Sequence, residues 1–188
     1  MKKYYSKQDV WSLFLMSAFP LHLWTLLMAF RDISWVAERT NFTDAMGVVS
    51  YGLIFAFLES LVLFLSALLL GILIPVTWGK EKRLAITSML IFVLAFWAIL
   101  GQLYALQNWD VSGALLGWLA GSAHPLREIY FIALIFIVPT IILPILAIYR
   151  SKKTLAKILD MVGSVSLLTM FYLLLDFVAL IVVVIRNI

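Results

Sequence analysis

Charge interrupts the apolar sequence at only a few places. Asp9 and Arg31 bracket a first uncharged run, Asp44 and Lys80 a second broken only by Glu59, Arg83 and Asp110 a third, and Glu128 and Arg150 a fourth. Lys157 and Arg186 enclose the last, which contains Asp160 and Asp176. The runs are continuous rather than alternating, which excludes the strands of a closed barrel. A helix needs about 20 apolar residues to cross a ~30 Å hydrocarbon core. Five such helices are predicted, over 10–30, 46–77, 85–107, 128–149 and 158–185. The fold class is all-α: a polytopic transmembrane helical bundle of five spans, read as a single domain over 1–188.

The second run is long for one crossing. At 1.5 Å per residue it reaches ~48 Å, so the helix tilts strongly or projects its first turns beyond the hydrocarbon. Pro75 marks its far end. The first span opens with Ser6 as cap and Asp9 three residues on. Its basic start precedes an apolar run too long for a signal-peptide core, so it reads as a retained anchor.

Composition agrees with this reading. The chain has 188 residues, of which 64% are hydrophobic and 13% charged, against ~45–50% and ~25% in soluble domains. A soluble single domain, a disordered chain and a disulfide scaffold are excluded. Cysteine is absent, which removes thiolate nucleophiles, iron–sulfur clusters and thiolate zinc sites. The net charge of +4 sits beside apolar spans, so the expected partners are the lipid bilayer and its anionic headgroups, not nucleic acid.

Basic residues also predict orientation. With the N-terminus cytoplasmic, Lys2, Lys3, Lys7, Lys80, Lys82, Arg83, Arg150, Lys152, Lys153 and Lys157 lie inside, and only Arg31, Arg39, Arg127 and Arg186 lie outside. Five spans then place the C-terminus externally, in a membrane expected to be the bacterial cytoplasmic (inner) membrane. Trp11, Trp78 and Tyr149 fall at inner ends, and Trp109 and Tyr130 at outer ends, as interfacial belts require.

Two outer connections carry pattern. Residues 31–44 mix charges with Ile33, Trp35, Val36 and Phe42, predicting a short helix lying flat at the interface. They also contain a glycosylation sequon at Asn41–Thr43, which chance explains in so short a loop. Gly113, Gly117 and Gly121 line one helical face and predict a short interfacial or re-entrant helix with close backbone packing. His124-Pro125 ends it.

Ionisable groups inside a span cost ~2.5–3.5 kcal/mol on insertion scales and are functional candidates by default. His22 lies ~12 Å and Asp176 ~13 Å from the outer ends of their spans, and Glu59 lies ~24 Å above its inner end. Each shares a face with small or polar residues: Gly52, Ala56 and Ser66 with Glu59, Thr169 and Tyr172 with Asp176, and Ala18 and Thr25 with His22. All three are expected to point inward, with Tyr172 donating to Asp176 and Arg127 as the next basic partner. Asp160 is expected to pair with Lys157 at the headgroup level. Pro139 and Pro144 free the carbonyls of Ile135 and Thr140 and predict a kink in the fourth span.

The candidate binding residues are therefore His22, Glu59, Asp176, Tyr172 and Arg127. No catalytic, metal or cofactor motif occurs. The leading functional expectation is a non-catalytic membrane subunit or assembly partner, as a homo-oligomer or with a second membrane protein. The alternative is a small transporter or lipid-handling protein with a protonatable site in the outer half. A membrane enzyme using His22 or His124 has too few catalytic parts and ranks third.

Overall fold

The computed structural model describes residues 4–106 and 112–188, leaving aside the side chains of 33–35, 37 and 105. The expectations for Trp35 and Trp109 lie outside the described residues. Among the described residues six α-helices follow in order: α1 (Lys7–Arg39), α2 (Phe42–Leu73), α3 (Lys80–Leu106), α4 (Gly113–Ala120), α5 (Pro125–Arg150) and α6 (Lys152–Asn187). Five of them, all but α4, are long and apolar enough to cross a membrane.

Local chemistry sets the helix ends. Ser6 and Asp9 form the reciprocal capping box, each accepting from the other's backbone N–H. Pro75 cannot continue α2, and the chain turns through a short 3-10 segment to Gly79, whose φ of 82° suits glycine. Pro125 opens α5 at a position where a missing N–H costs nothing. Ser151 alone joins α5 to α6. Its N–H donates to Ala147 while its hydroxyl accepts from the Thr154 N–H.

One expected connection is different. Residues 31–44 do not form a separate helix lying flat. α1 continues to Arg39, Thr40 and Asn41 make the turn, and α2 begins at Phe42. Asn41 caps α2, its side-chain oxygen accepting from the Asp44 N–H. The helical pattern and this cap outweigh the mixed polarity of the segment. At 33 and 32 residues, α1 and α2 are each ~50 Å long and so exceed one hydrocarbon thickness.

The core gathers among α1, α2, α3 and α6. Tyr5, Leu13, Met16, Ala67, Leu84, Ile91 and Val162 form one buried cluster, and Ala85, Ile86 and Ile148 a second between α3 and α5. α1 packs on α2, α3 and α6, whereas among the described residues α5 touches only α3, α4 and α6. α5 runs as one helix through Pro139 and Pro144. At the far end, Arg186 pairs with Asp44, and Asn187 donates to the Tyr51 hydroxyl.

α4 is helical as the glycine pattern predicts, but its packing is not. Among the described residues, nothing approaches within 4 Å of a methyl placed on Gly113 or Gly117, and α4 touches only α5. The close approach occurs instead at Gly71, where any side chain would collide with the Tyr5 hydroxyl. Lys157 and Asp160 are both exposed and form no ion pair among the described residues.

Candidate functional site

His22 and Asp176 meet in the packed seam of α1 and α6. The imidazole is completely buried and the Asp176 side chain is 9% exposed. His22 Nε2 lies 2.8 Å from one carboxylate oxygen and 3.0 Å from the other, and Nδ1 lies 2.8 Å from the Ala18 carbonyl. Both ring nitrogens therefore face oxygens. Nδ1–H donates to Ala18, and a single further proton lies between Nε2 and the carboxylate. It completes either an imidazolium–carboxylate pair or a neutral imidazole with a carboxylic acid. The net charge is zero in both forms, which is how two ionisable groups are accommodated in an apolar bundle.

The surroundings hold the imidazole in plane. The Tyr172 ring stacks on it with centroids 6.2 Å apart and 9° between planes, and Phe19 stacks on Tyr172 at 6.1 Å. Tyr172 thus supports the pair by ring contact. The predicted hydrogen bond from its hydroxyl to Asp176 is not formed, because the ring turns toward His22 on the neighbouring helix. Pro20, two residues before His22, lacks the N–H that would bond the Met16 carbonyl.

Glu59 does not join them. It is exposed on α2, while Ser50, Leu53, Ala56, Ser60, Ala67 and Gly71 form the buried stripe. Successive residues are ~100° apart on a helix. Choosing Ser60, whose hydroxyl bonds back to the Ala56 carbonyl at 2.6 Å, turns Glu59 off the packed face. Small residues win that face because they let α1 and α6 approach closely. Ser66 is likewise exposed. Arg127 is exposed at the start of α5, which makes no contact with α1, and so lies apart from the pair. Thr25 lines a separate cavity of about 700 Å³ between α1 and α2, with Trp24, Asp32 and Asn41.

Asp176 has a second aspect. It forms part of the wall of an open groove of about 850 Å³ between α1, α2 and α6. The rest of that wall is almost wholly apolar, with Trp11, Phe14, Phe57, Phe64 and Phe177 along it and Lys7 at one end. From Lys7 to His22 along α1 is ~22 Å, somewhat more than half of a ~30 Å hydrocarbon core. Among the described residues, no three His, Asp or Glu side chains cluster in a way that holds a metal ion.

Arg83 is the buried charge that sequence reasoning missed. The charge pattern groups it with the cytoplasmic cations, yet it is completely buried. Its guanidinium donates to the Tyr4 carbonyl at 2.8 Å and the Ile74 carbonyl at 2.9 Å, and lies 5.0 Å from the Tyr4 ring centroid. It ties the N-terminal segment to the carbonyl end of α2, where the helix dipole favours a cation. The available signal was the run Arg83, Thr87, Ile91 at four-residue spacing, which places the arginine on the packed stripe of α3. Nearby, Tyr5 and Thr87 share a hydroxyl contact at 3.3 Å.

No family model, curated protein or solved structure matches this chain.

Proposed function

We propose that this small membrane protein is a lipid-handling protein. The α1–α2–α6 groove takes the apolar chain of an amphiphile, and a polar group of that ligand hydrogen-bonds to Asp176. The observation that supports this reading is the double exposure of one carboxylate: Asp176 is neutralised by buried His22 on one side and borders an apolar groove on the other. A purely structural His–Asp bridge has no need of an open groove beside it. Aromatic walls and a few placed polar groups are the usual makeup of a small-ligand site. The proton of the pair is held between Nε2 and the carboxylate, so the remaining carboxylate lone pairs accept a hydrogen bond from the ligand.

The test is to purify the chain in mild detergent and identify retained lipids by mass spectrometry. One amphiphile should be enriched over its share of the source membrane. Its retention should fall about tenfold in Asp176→Asn and in Leu61→Trp, which fills the groove. A retained pool matching bulk lipid in all three proteins would overturn the reading.

The assembly-partner reading has its own support in α5. That helix is almost uncovered along its span, and exposed Pro139 frees the carbonyl of exposed Ile135. A free backbone carbonyl in hydrocarbon is costly, and a second helix docked there would relieve it. Photo-crosslinkers at Phe136 and Leu143 should then capture one discrete product in native membranes. Crosslinks to lipid alone would count against it.

A further inference from the structure

A further pocket lies toward the start of α6, where α3 begins and α5 passes into α6. Its volume is about 530 Å³. Lys82, Arg150 and Lys152 border it, against the single carboxylate of Glu81. No ion pair among the described residues engages any of the four. Three cations gathered in one recess repel one another, and an anion seated among them removes that cost.

Lys82 is held in place for such a role. Its ammonium donates to the Tyr149 carbonyl at 3.3 Å and sits 4.7 Å over the Tyr149 ring. An ammonium has three donors, so two remain for a ligand. The start of α6 adds a further attraction. Ser151 caps the Thr154 N–H, leaving the first-turn amides at the positive end of a 36-residue helix. Trp78 packs on Tyr149 with ring centroids 4.9 Å apart, an aromatic pair of the kind found at headgroup level.

The floor of the recess identifies the source of the anion. Ile148, Leu155 and Leu159 line it, continuous with the buried cluster between α3 and α5. A free phosphate has no use for an apolar floor, whereas a phospholipid places its headgroup among the cations and its chains over the leucines. We propose that this pocket binds the phosphate headgroup of an anionic membrane phospholipid. The site is separate from the α1–α2–α6 groove and does not depend on the function assigned to it.

The test uses the full chain in detergent micelles, with native mass spectrometry counting bound lipid and circular dichroism following thermal unfolding. The protein is titrated with phosphatidylglycerol, with phosphatidylcholine and with inorganic phosphate. Phosphatidylglycerol should bind at one saturable site and raise the midpoint, and the other two should do neither. Lys82→Gln with Lys152→Gln should weaken that binding at least tenfold. Lys157→Gln, at the same end but outside the pocket, should leave it unchanged. Should the double variant not fold, Lys152→Glu alone carries the same expectation. Equal binding of phosphatidylcholine, or equal loss in Lys157→Gln, would reduce the site to general surface charge and overturn the proposal. Equal stabilisation by inorganic phosphate would overturn the lipid as its ligand.

Discussion

His22 and Asp176, separated by 154 positions in the chain, are joined by a bond of 2.8 Å between the imidazole and the carboxylate. The Ala18 carbonyl occupies the other ring nitrogen. The pair therefore links the first and last spanning helices through one shared proton. Removing either partner leaves the other buried without its match. His22→Ala and Asp176→Ala should each destabilise the protein by about 3 kcal/mol. The double variant should cost little more than either single one. Thermal unfolding of the three variants measures the coupling, and additive losses would show the bond to be unimportant.

Glu59 should behave in the opposite way. It is exposed on a helix that carries no other charge beyond its first turn, so Glu59→Leu removes a poorly solvated carboxyl without breaking a packed contact. Insertion of α2 should become easier by on the order of 2 kcal/mol, with the bundle unchanged. A glycosylation-mapping insertion assay on the isolated segment reads the first effect, and the melting of the whole protein reads the second. A large loss of stability would mean that Glu59 has an inward partner after all.

Arg83 is the structural charge of the bundle. Arg83→Leu leaves the carbonyls of Tyr4 and Ile74 without the donors that now reach them. The expected cost is about 2–4 kcal/mol. Arg83→Lys should recover only part of it, because one ammonium cannot reproduce a fork with two nitrogens. Limited proteolysis of the N-terminal segment should accelerate in both variants.

Tyr5 gives a pH signature outside the spans. Burial pushes its phenol above the usual tyrosine value, opposed by the Thr87 hydrogen bond and the Arg83 charge, while Asp9 adds to the rise. The folded state thus favours the neutral phenol more than the unfolded chain does. That stabilisation is fully present below the ordinary value near 10 and is lost as pH rises through the folded one. Melting midpoints recorded from about pH 8 upward should fall more steeply in the native chain than in Tyr5→Phe.

The distribution of basic residues predicts the orientation. Reporter fusions at Lys82 and Lys153 should read cytoplasmic, and fusions at Thr40, Ser122 and the C-terminus external. Those positions fall at opposite ends of the bundle, since Lys82 contacts Tyr149 at one end and Arg186 contacts Asp44 at the other. A cytoplasmic C-terminus would break the alternation of five spans.

Hydropathy by itself determined the five spanning helices. Ser6 and Pro75 marked helix ends, because a cap's hydroxyl and a proline's ring act on the backbone next to them, whereas Pro125, expected to stop the preceding helix, opens α5 instead. The meeting of His22 with Asp176 was legible as an expectation, since neither short side chain can reach the headgroups from its depth. The inward face of each helix was not legible. α2 is apolar around its whole circumference, so no polar stripe distinguishes Ser60 from Glu59. Its orientation comes from the fit of Ser60, Ala67 and Gly71 against neighbouring helices. Tyr172 turned to stack on His22 for the same reason, its hydroxyl leaving Asp176 to the imidazole. Arg83 was hidden because charge alone predicts a solvated lysine or arginine at a helix end. Only the arrival of Tyr4 and Ile74, from two other segments, supplies the carbonyls that let a guanidinium be buried. Span formation depends on the sum of local transfer energies, whereas facing and partnership depend on contacts between distant segments, which exist only once the helices have packed.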